Sequence, residues 1–338
     1  MKLVVIGDVH LFTLHVHPRR LVSRRALAHS NLWLNRRHRF NHTLLPALVE
    51  HARSLEPELV LFSGDVSTSS LESEFDDLRE VVAPLVESAP RGGVLVPGNH
   101  DRYTFKSRRV KRIETLLASV MPAAFPHTQT LAPGWTLLAL DSAVPNRVFS
   151  RGALGRTQFE AAVRTIRAVP ADEALVVLCH YPCSLPPRVP SAWSHDLKEA
   201  EPLKRELAVC RGRVLYVHGH IHKPWHVMPS GGGSGLAEPS LPDAGGTPPP
   251  ESARREPRAG SGNHERSRPA FECLNAGSPC MTSEKYPLGQ GFWELTLPSD
   301  PLAPVDAVHH VPARPDGTNG LTLAAASHQP RWETRRNL

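Results

Sequence analysis

The sequence predicts an α/β fold assembled around mainly parallel strands. Two observations predict it. A short apolar run rich in leucine and β-branched residues recurs six times, at Leu3 to Ile6, Leu59 to Phe62, Val94 to Val96, Leu137 to Leu140, Leu175 to Leu178 and Val214 to Val217. Runs of that length without polar alternation read as strands buried on both faces. Stretches with helical spacing of apolar residues lie between them, and alternation of strand and helix is the mark of α/β architecture.

Taken in order, each predicted strand stops on polar residues. Leu3 to Ile6 runs into Gly7-Asp8-Val9-His10. A long basic loop follows, holding His15, His17, Arg19, Arg20, Arg24, Arg25, Leu32-Trp33-Leu34, Arg36, Arg37, Arg39 and Phe40, and a helix is expected over Leu44 to Ser54. Leu59 to Phe62 ends before Gly64-Asp65 and a helix over Leu71 to Val86, and Val94 to Val96 ends before Gly98-Asn99-His100-Asp101 and a helix over Val110 to Ser119. Leu137 to Leu140 is followed by Asp141-Ser142 and a helix over Gln158 to Ala168. Leu175 to Leu178 is followed by His180 and a helix over Leu197 to Val209, and Val214 to Val217 by Gly219-His220-Ile221-His222. Polar residues just past strand C-termini are where open α/β sheets place their sites.

Residues 230–270 are too polar and too rich in Gly and Pro to pack, and are expected to be a disordered insertion. Apolar sequence resumes at Phe271 to Ser278 and Phe292 to Leu297, read as returning strands of the same domain. The expected organisation is one catalytic domain over 1–297, interrupted by that insertion, with a disordered tail over 298–338.

The chain of 338 residues is 40% hydrophobic and 21% charged, long enough for a core around a buried site and unlike a disordered chain. Its 39 Lys and Arg against 33 Asp and Glu give +6, which permits anionic partners without requiring one. Five cysteines with no CxxC pair suit a reducing compartment. The N-terminal apolar run is too short for a signal segment, and no stretch approaches the roughly 20 apolar residues of a membrane span. The expected location is cytoplasmic, with peripheral membrane contact through the Arg19 to Arg39 loop as a further expectation.

Singly, each strand-end motif is weak, and an isolated histidine is more often a core or surface residue than a ligand. Together they form an ordered set: Asp8, His10, Asp65, Asn99, His180, His220 and His222. Histidine nitrogens mixed with carboxylates and an amide oxygen suit Mn, Fe or Zn rather than Mg or Ca. A pair of such cations needs a bridging carboxylate and serves in-line displacement at phosphorus, so hydrolysis of a phosphate ester is the chemistry expected.

The set resembles the signature blocks of the calcineurin-like metallophosphoesterase superfamily, over roughly residues 1–228 and 271–297. The resemblance implies two mixed β-sheets packed as a sandwich flanked by helices, in four α/β/β/α layers. It implies that Asp8, His10 and His222 hold one metal, that Asp65 bridges, and that Asn99, His180 and His220 complete the second site. His100 would stand beside the metals and assist the leaving group, the nucleophile being a metal-bridging hydroxide. Asp101 would orient the His100 imidazole, or alternatively cap a helix N-terminus.

A narrower similarity is to bacterial class III cyclic-nucleotide phosphodiesterases. It rests on Glu74-Phe75, Leu140-Asp141-Ser142, Gly152-x-Leu154-x3-Gln158, His180-Tyr181-Pro182, Val217-His218-Gly219-His220 and Asn275-Ala276-Gly277-Ser278. His218 is read as a packing or supporting residue. Arg102 and Tyr103 are read either as contacts to a substrate phosphate or as a surface helix start.

A small phosphate ester, mono- or diester, is therefore the expected substrate. Nucleic acid is not expected, because no aromatic-basic platform stands out. The alternatives are a peripheral membrane hydrolase of a lipid-linked phosphate, with the basic loop as an amphipathic lid, and a non-catalytic scaffold of the same fold. The bland reading of the loop is a solvated helical excursion.

Overall fold

A computed structural model describes residues 1–13, 39–145, 150–186, 189, 196–228, 271–313 and 330–336. The basic loop before Arg39 and the Gly/Pro-rich insertion lie outside the described residues.

The strands are β1 (Lys2–Ile6), β2 (Leu59–Phe62), β3 (Gly93–Leu95), β4 (His127–Ala132), β5 (Trp135–Leu140), β6 (Ala174–Cys179), β7 (Arg213–His218), β8 (Trp225–Val227), β9 (Glu272–Asn275), β10 (Phe292–Thr296), β11 (Asp306–Pro312) and β12 (Trp332–Arg335). The α-helices are α1 (Leu45–Ser54), α2 (Glu72–Ser88), α3 (Phe105–Arg109), α4 (Arg112–Leu116), α5 (Arg156–Ala168) and α6 (Ala200–Ala208). The strands form two six-stranded sheets, ordered β12-β11-β10-β1-β2-β3 and β4-β5-β6-β7-β9-β8. In the first, β1, β2 and β3 run parallel, and in the second β5, β6, β7 and β9 do. The remaining pairings are antiparallel, so both sheets are mixed.

The apolar runs are continuous because both faces of these strands are covered. Successive side chains on a strand point to opposite faces. Thus Leu3 and Val5 of β1, Leu59 and Leu61 of β2, Val176 and Leu178 of β6 and Leu215 and Val217 of β7 meet in one core between the sheets. Their neighbours Val4, Ile6, Val60 and Phe62 pack with α1 and α2 on the outer side of the first sheet. Leu175, Val177, Val214 and Tyr216 pack with α5 and α6 on the outer side of the second. The result is the four-layer sandwich, helix on sheet on sheet on helix. Each fully buried Leu or Val contributes about 2 kcal/mol relative to exposure.

Two expectations are corrected. The stretch after Pro298 is not simply a tail, because β11 pairs with β10 and β12 with β11, extending the domain to Arg335. β11 reads Asp-Ala-Val-His-His-Val-Pro, and its buried histidines break the apolar pattern that would mark a strand. Of the expected helix over Val110 to Ser119 only α4 forms, cut off from the preceding α3 at Lys111, whose φ of 46° lies in the left-handed region. β4 escapes the pattern because it is the polar edge of its sheet, with Thr128 and Thr130 exposed.

Candidate metal centre

The parallel strands place their C-terminal ends together, and the polar residues just beyond them converge. Asp8 and His10 follow β1, Asp65 follows β2, Asn99 and His100 follow β3, His180 follows β6, and His220 and His222 follow β7. The loops are zipped to one another: the backbone N–H of Asp8 donates to Gly64 O and that of His10 to Asp65 O, both at 2.9 Å. Gly219 N donates to His180 O at 3.0 Å.

This assembly imposes an unusual backbone. Asp8, His10, Asp65, His220 and His222 all adopt positive φ, between 48° and 71°. Non-glycine residues held in that region mark sites where the surrounding structure over-determines the conformation. Gly98 is required by close approach, since a Cβ there would lie 2.1 Å from Asp65 Oδ1 and 2.4 Å from Asp65 N.

Two donor sets result, each with ligand atoms within 4.8 Å of one another: Asp8, His10, Asp65 and His222 in one, and Asp65, His180 and His220 in the other. Asp65 belongs to both. His10 Nε2 and His222 Nε2 are 2.9 Å apart, and Asp65 Oδ2 lies 3.7 Å from His10 Nε2 and 3.4 Å from His180 Nε2. Asn99 Oδ1 reaches to 3.2 Å from His180 Nε2, adding the amide oxygen to the second set. His180 donates from Nδ1 to Ser63 O at 2.8 Å, which turns Nε2 toward Asp65 and Asn99.

The electrostatics call for positive charge. Burial pushes the Asp8 carboxyl well above the usual carboxylate range, with His180 opposing it and Asp65 and Asp101 adding to it. Asp65 resists the same burial, because His180, His100 and His10 hold its carboxyl well below that range. Burial would lower His180, but Asp65 and Asp8 raise it to about 9. Asp8 Oδ2 is buried with no hydrogen-bond partner among the described residues. An unsatisfied buried carboxylate oxygen beside facing imidazole nitrogens fits a pair of N/O-ligated divalent cations.

His100 stands at the edge of this cluster and in neither donor set. Its ring meets His10 edge-on at 4.8 Å, its Nδ1 donates to Thr68 O at 2.7 Å, and its backbone N–H donates to Asp65 Oδ1 at 2.7 Å. Asp101 does not hold the imidazole as expected. Its Oδ1 accepts from Ser67 N at 2.9 Å and Ser67 Oγ at 3.0 Å, and its Oδ2 accepts from Gly98 N at 2.9 Å. Nor does it cap a helix, since α3 is capped by Thr104. It ties the Asp65 and Asn99 loops together, and burial beside Asp65 raises its carboxyl to about 7.

Other residues separate in the same way. Arg102 is not the surface residue of a helix start: it is buried, paired to Asp141 and, at 2.6 Å, to Glu114. Tyr103 stacks on His100 at 5.6 Å. His218 is fully buried against Trp225 and Tyr216, and burial lowers it to about 3, which suits packing. Glu74 accepts from Ser69 N, Ser69 Oγ and Leu71 N at 3.0 Å, so its carboxylate is spent on the start of α2. Gln158 brackets Asp141 through N–H and C=O. Ser278 donates to Asp8 O at 2.6 Å.

Several supports were not identified from sequence. Ser63 and Thr68 act through backbone carbonyls, which carry no side-chain signal. Gln290 donates to His222 O at 2.9 Å from a loop remote in sequence. Phe40 packs edge-on against His10 at 5.4 Å and His222 at 6.3 Å.

Among the described residues, no helix is long and apolar enough to cross a membrane. Comparison with known proteins adds three findings. A family model described as calcineurin-like phosphoesterase matches residues 1–224. A cAMP/cGMP dual specificity phosphodiesterase of Mycobacterium tuberculosis is 24% identical over 169 residues, 50% of this chain and 49% of the relative, so the match spans about half the length of that curated protein. Among solved structures, a dimetal phosphatase from Danio rerio superposes with a TM-score of 0.53 at 13% identity, covering 91% of this chain and 94% of the other. GAP50, described as the anchor in the inner membrane complex of Plasmodium, superposes at 0.51 with 10% identity, covering 92% and 84%. At these identities the structures show a shared fold.

Proposed function

The chain belongs to the calcineurin-like phosphoesterase family, and on that premise we propose that it is a metal-dependent phosphoesterase acting on a small phosphodiester or phosphomonoester. The observation that carries the reading is the position of Asp65 in both donor sets, which is what a carboxylate shared by two cations requires. Asp8, His10 and His222 with Asp65 would hold one divalent transition metal, and Asp65, Asn99, His180 and His220 the other, with Mn, Fe and Zn the candidates by ligand type. When bound, the pair supplies Lewis-acid polarisation of phosphoryl oxygens and a nucleophile competent near neutral pH.

The chain's own residues do the rest. Asp65 is held in one orientation by the His100 N–H at 2.7 Å. His180 is fixed in the tautomer that aims Nε2 inward by Ser63 O. His100 is fixed by Thr68 O, which accepts from Nδ1, so Nε2 is the nitrogen left for the leaving oxygen and has a proton to give when the ring is the imidazolium. Asp101 keeps the Gly98 and Ser67 loops in register, so that Asp65 and Asn99 face one site.

The similarity to a cAMP/cGMP phosphodiesterase makes cyclic nucleotides the first natural esters to assay. The test compares wild type with Asp65→Ala and His180→Ala on an aryl phosphodiester after loading with Mn. Both variants should remain folded by circular dichroism and lose activity by about 100-fold or more, the upper end of effects seen even for residues supporting a metal ligand. Unchanged turnover in either would overturn the proposal.

A further inference from the structure

We propose that the segment from Phe105 to Lys111 is a docking surface for an anionic lipid bilayer, placed at the edge of the metal centre. The segment begins where the site ends, because Tyr103 stacks on His100 and its backbone N–H donates to Ser70 Oγ at 2.8 Å. Beyond it the chain exposes Phe105 at 57% and Val110 at 47%, two of the five large hydrophobic side chains so exposed among the described residues. Between and beside them stand Lys106, Arg108, Arg109 and Lys111, all exposed.

The charge is one-sided. No acidic residue occurs from Arg102 to Arg112. The two flanking arginines are committed inward, Arg102 to Glu114 and Asp141, and Arg112 to Glu72 at 3.0 Å and Ser70 O at 2.7 Å. Among the described residues, no carboxylate lies within ion-pair distance of the four exposed cations; burial raises the Asp141 carboxyl, and the more distant charge of Arg108 only partly opposes that.

The presentation is rigid. Thr104 Oγ1 accepts from Ser107 N at 3.0 Å, Ser107 Oγ is bonded in return to Thr104, and Ser107 within the segment and Ile113 just after it are buried. Protruding phenylalanine and valine among lysines and arginines match a bilayer interface, where apolar tips enter the acyl boundary and cations meet lipid phosphates. A nucleic acid would reward the cations and the aromatic ring but offers nothing to Val110.

The experiment is vesicle co-sedimentation of the full chain at low salt, with phosphatidylcholine alone or mixed with phosphatidylglycerol. Binding should require phosphatidylglycerol and weaken at high salt. Lys106→Glu/Arg109→Glu should bind at least about tenfold more weakly, given roughly fivefold per cation near the surface. Phe105→Ser/Val110→Ser should also bind more weakly, and more so at high salt, where its apolar share dominates. Hydrolysis of a soluble aryl phosphodiester, read in parallel, should be unchanged in both variants, which separates a failure of docking from a failure of the phosphoesterase reading. Wild-type vesicle binding by both variants, no binding to anionic vesicles, or loss in the variants of oligonucleotide binding with vesicle binding intact would each overturn the proposal.

Discussion

His10 Nε2 and His222 Nε2 face each other at 2.9 Å across 212 residues of chain. Two imidazole nitrogens at that separation, with Asp65 Oδ2 at 3.7 Å from one and Asp8 Oδ1 at 3.8 Å from the other, form a donor set fit to hold a divalent cation. A cation that binds the folded chain and not the unfolded one stabilises it by about 2.7 kcal/mol when present at 100 times its dissociation constant. Chelator-treated protein should therefore gain several degrees in Tm on adding Mn or Zn. His222→Ala should retain less metal by elemental analysis, and an equal metal content in wild type and variant would refute the assignment.

Gly98→Ala should damage the site without touching any donor atom. The added methyl would lie 2.1 Å from Asp65 Oδ1 and 2.4 Å from Asp65 N, and the latter is backbone that cannot swing aside. Overpacking of this kind costs about 1 to 3 kcal/mol. The expected outcome is a lower urea midpoint together with reduced metal uptake, and a variant equal to wild type in both would contradict the geometry.

Arg102→Ala should destabilise the fold by about 3 kcal/mol, because it strands Asp141 and Glu114 around a buried gap. Arg102→Lys should recover only part of this, since one ammonium cannot reproduce the guanidinium fork. Urea unfolding measures the loss. A raised KM with unchanged stability would return Arg102 to the role of a phosphate ligand.

His309 should make the protein acid-sensitive. Burial, with help from the charges of Arg335, His310 and Lys285, lowers it from 6.5 to about 3. The unfolded chain takes up its proton near 6.5 and the folded chain does not until about 3, so protonation favours unfolding. Stability is complete above 6.5 and falls as pH drops toward 3. His51, lowered to about 4 by burial and by His310, adds to the same limb. His309→Leu should show a shallower decline in urea midpoint between pH 6.5 and 4 than wild type, and parallel curves would refute this account.

The central strands were legible because each is buried on both faces, which leaves only apolar residues to read, and β2 coincides with its predicted run from Leu59 to Phe62. β11 was not legible because its polar side chains are neutralised by distant partners. His310 is bonded to Glu294 at 2.9 Å and to His51 at 3.0 Å, and His309 packs on Trp293. The role of Asp101 is hidden for a related reason: its neighbour in sequence is His100, yet its bonds go to Ser67 and Gly98.

Residue order is enough to set the inventory of the centre, two carboxylates, an amide and four imidazoles, each at the end of a predicted strand, because strand ends are where a buried run must surrender to polar residues. Tertiary structure alone decided which of those groups share an atom's reach. Asp65 joins both donor sets only because the two sheets pack face to face and bring the ends of β1, β2, β6 and β7 to one edge. It also decided that Thr68 and not Asp101 holds the His100 ring, since a backbone carbonyl leaves no trace in residue identity.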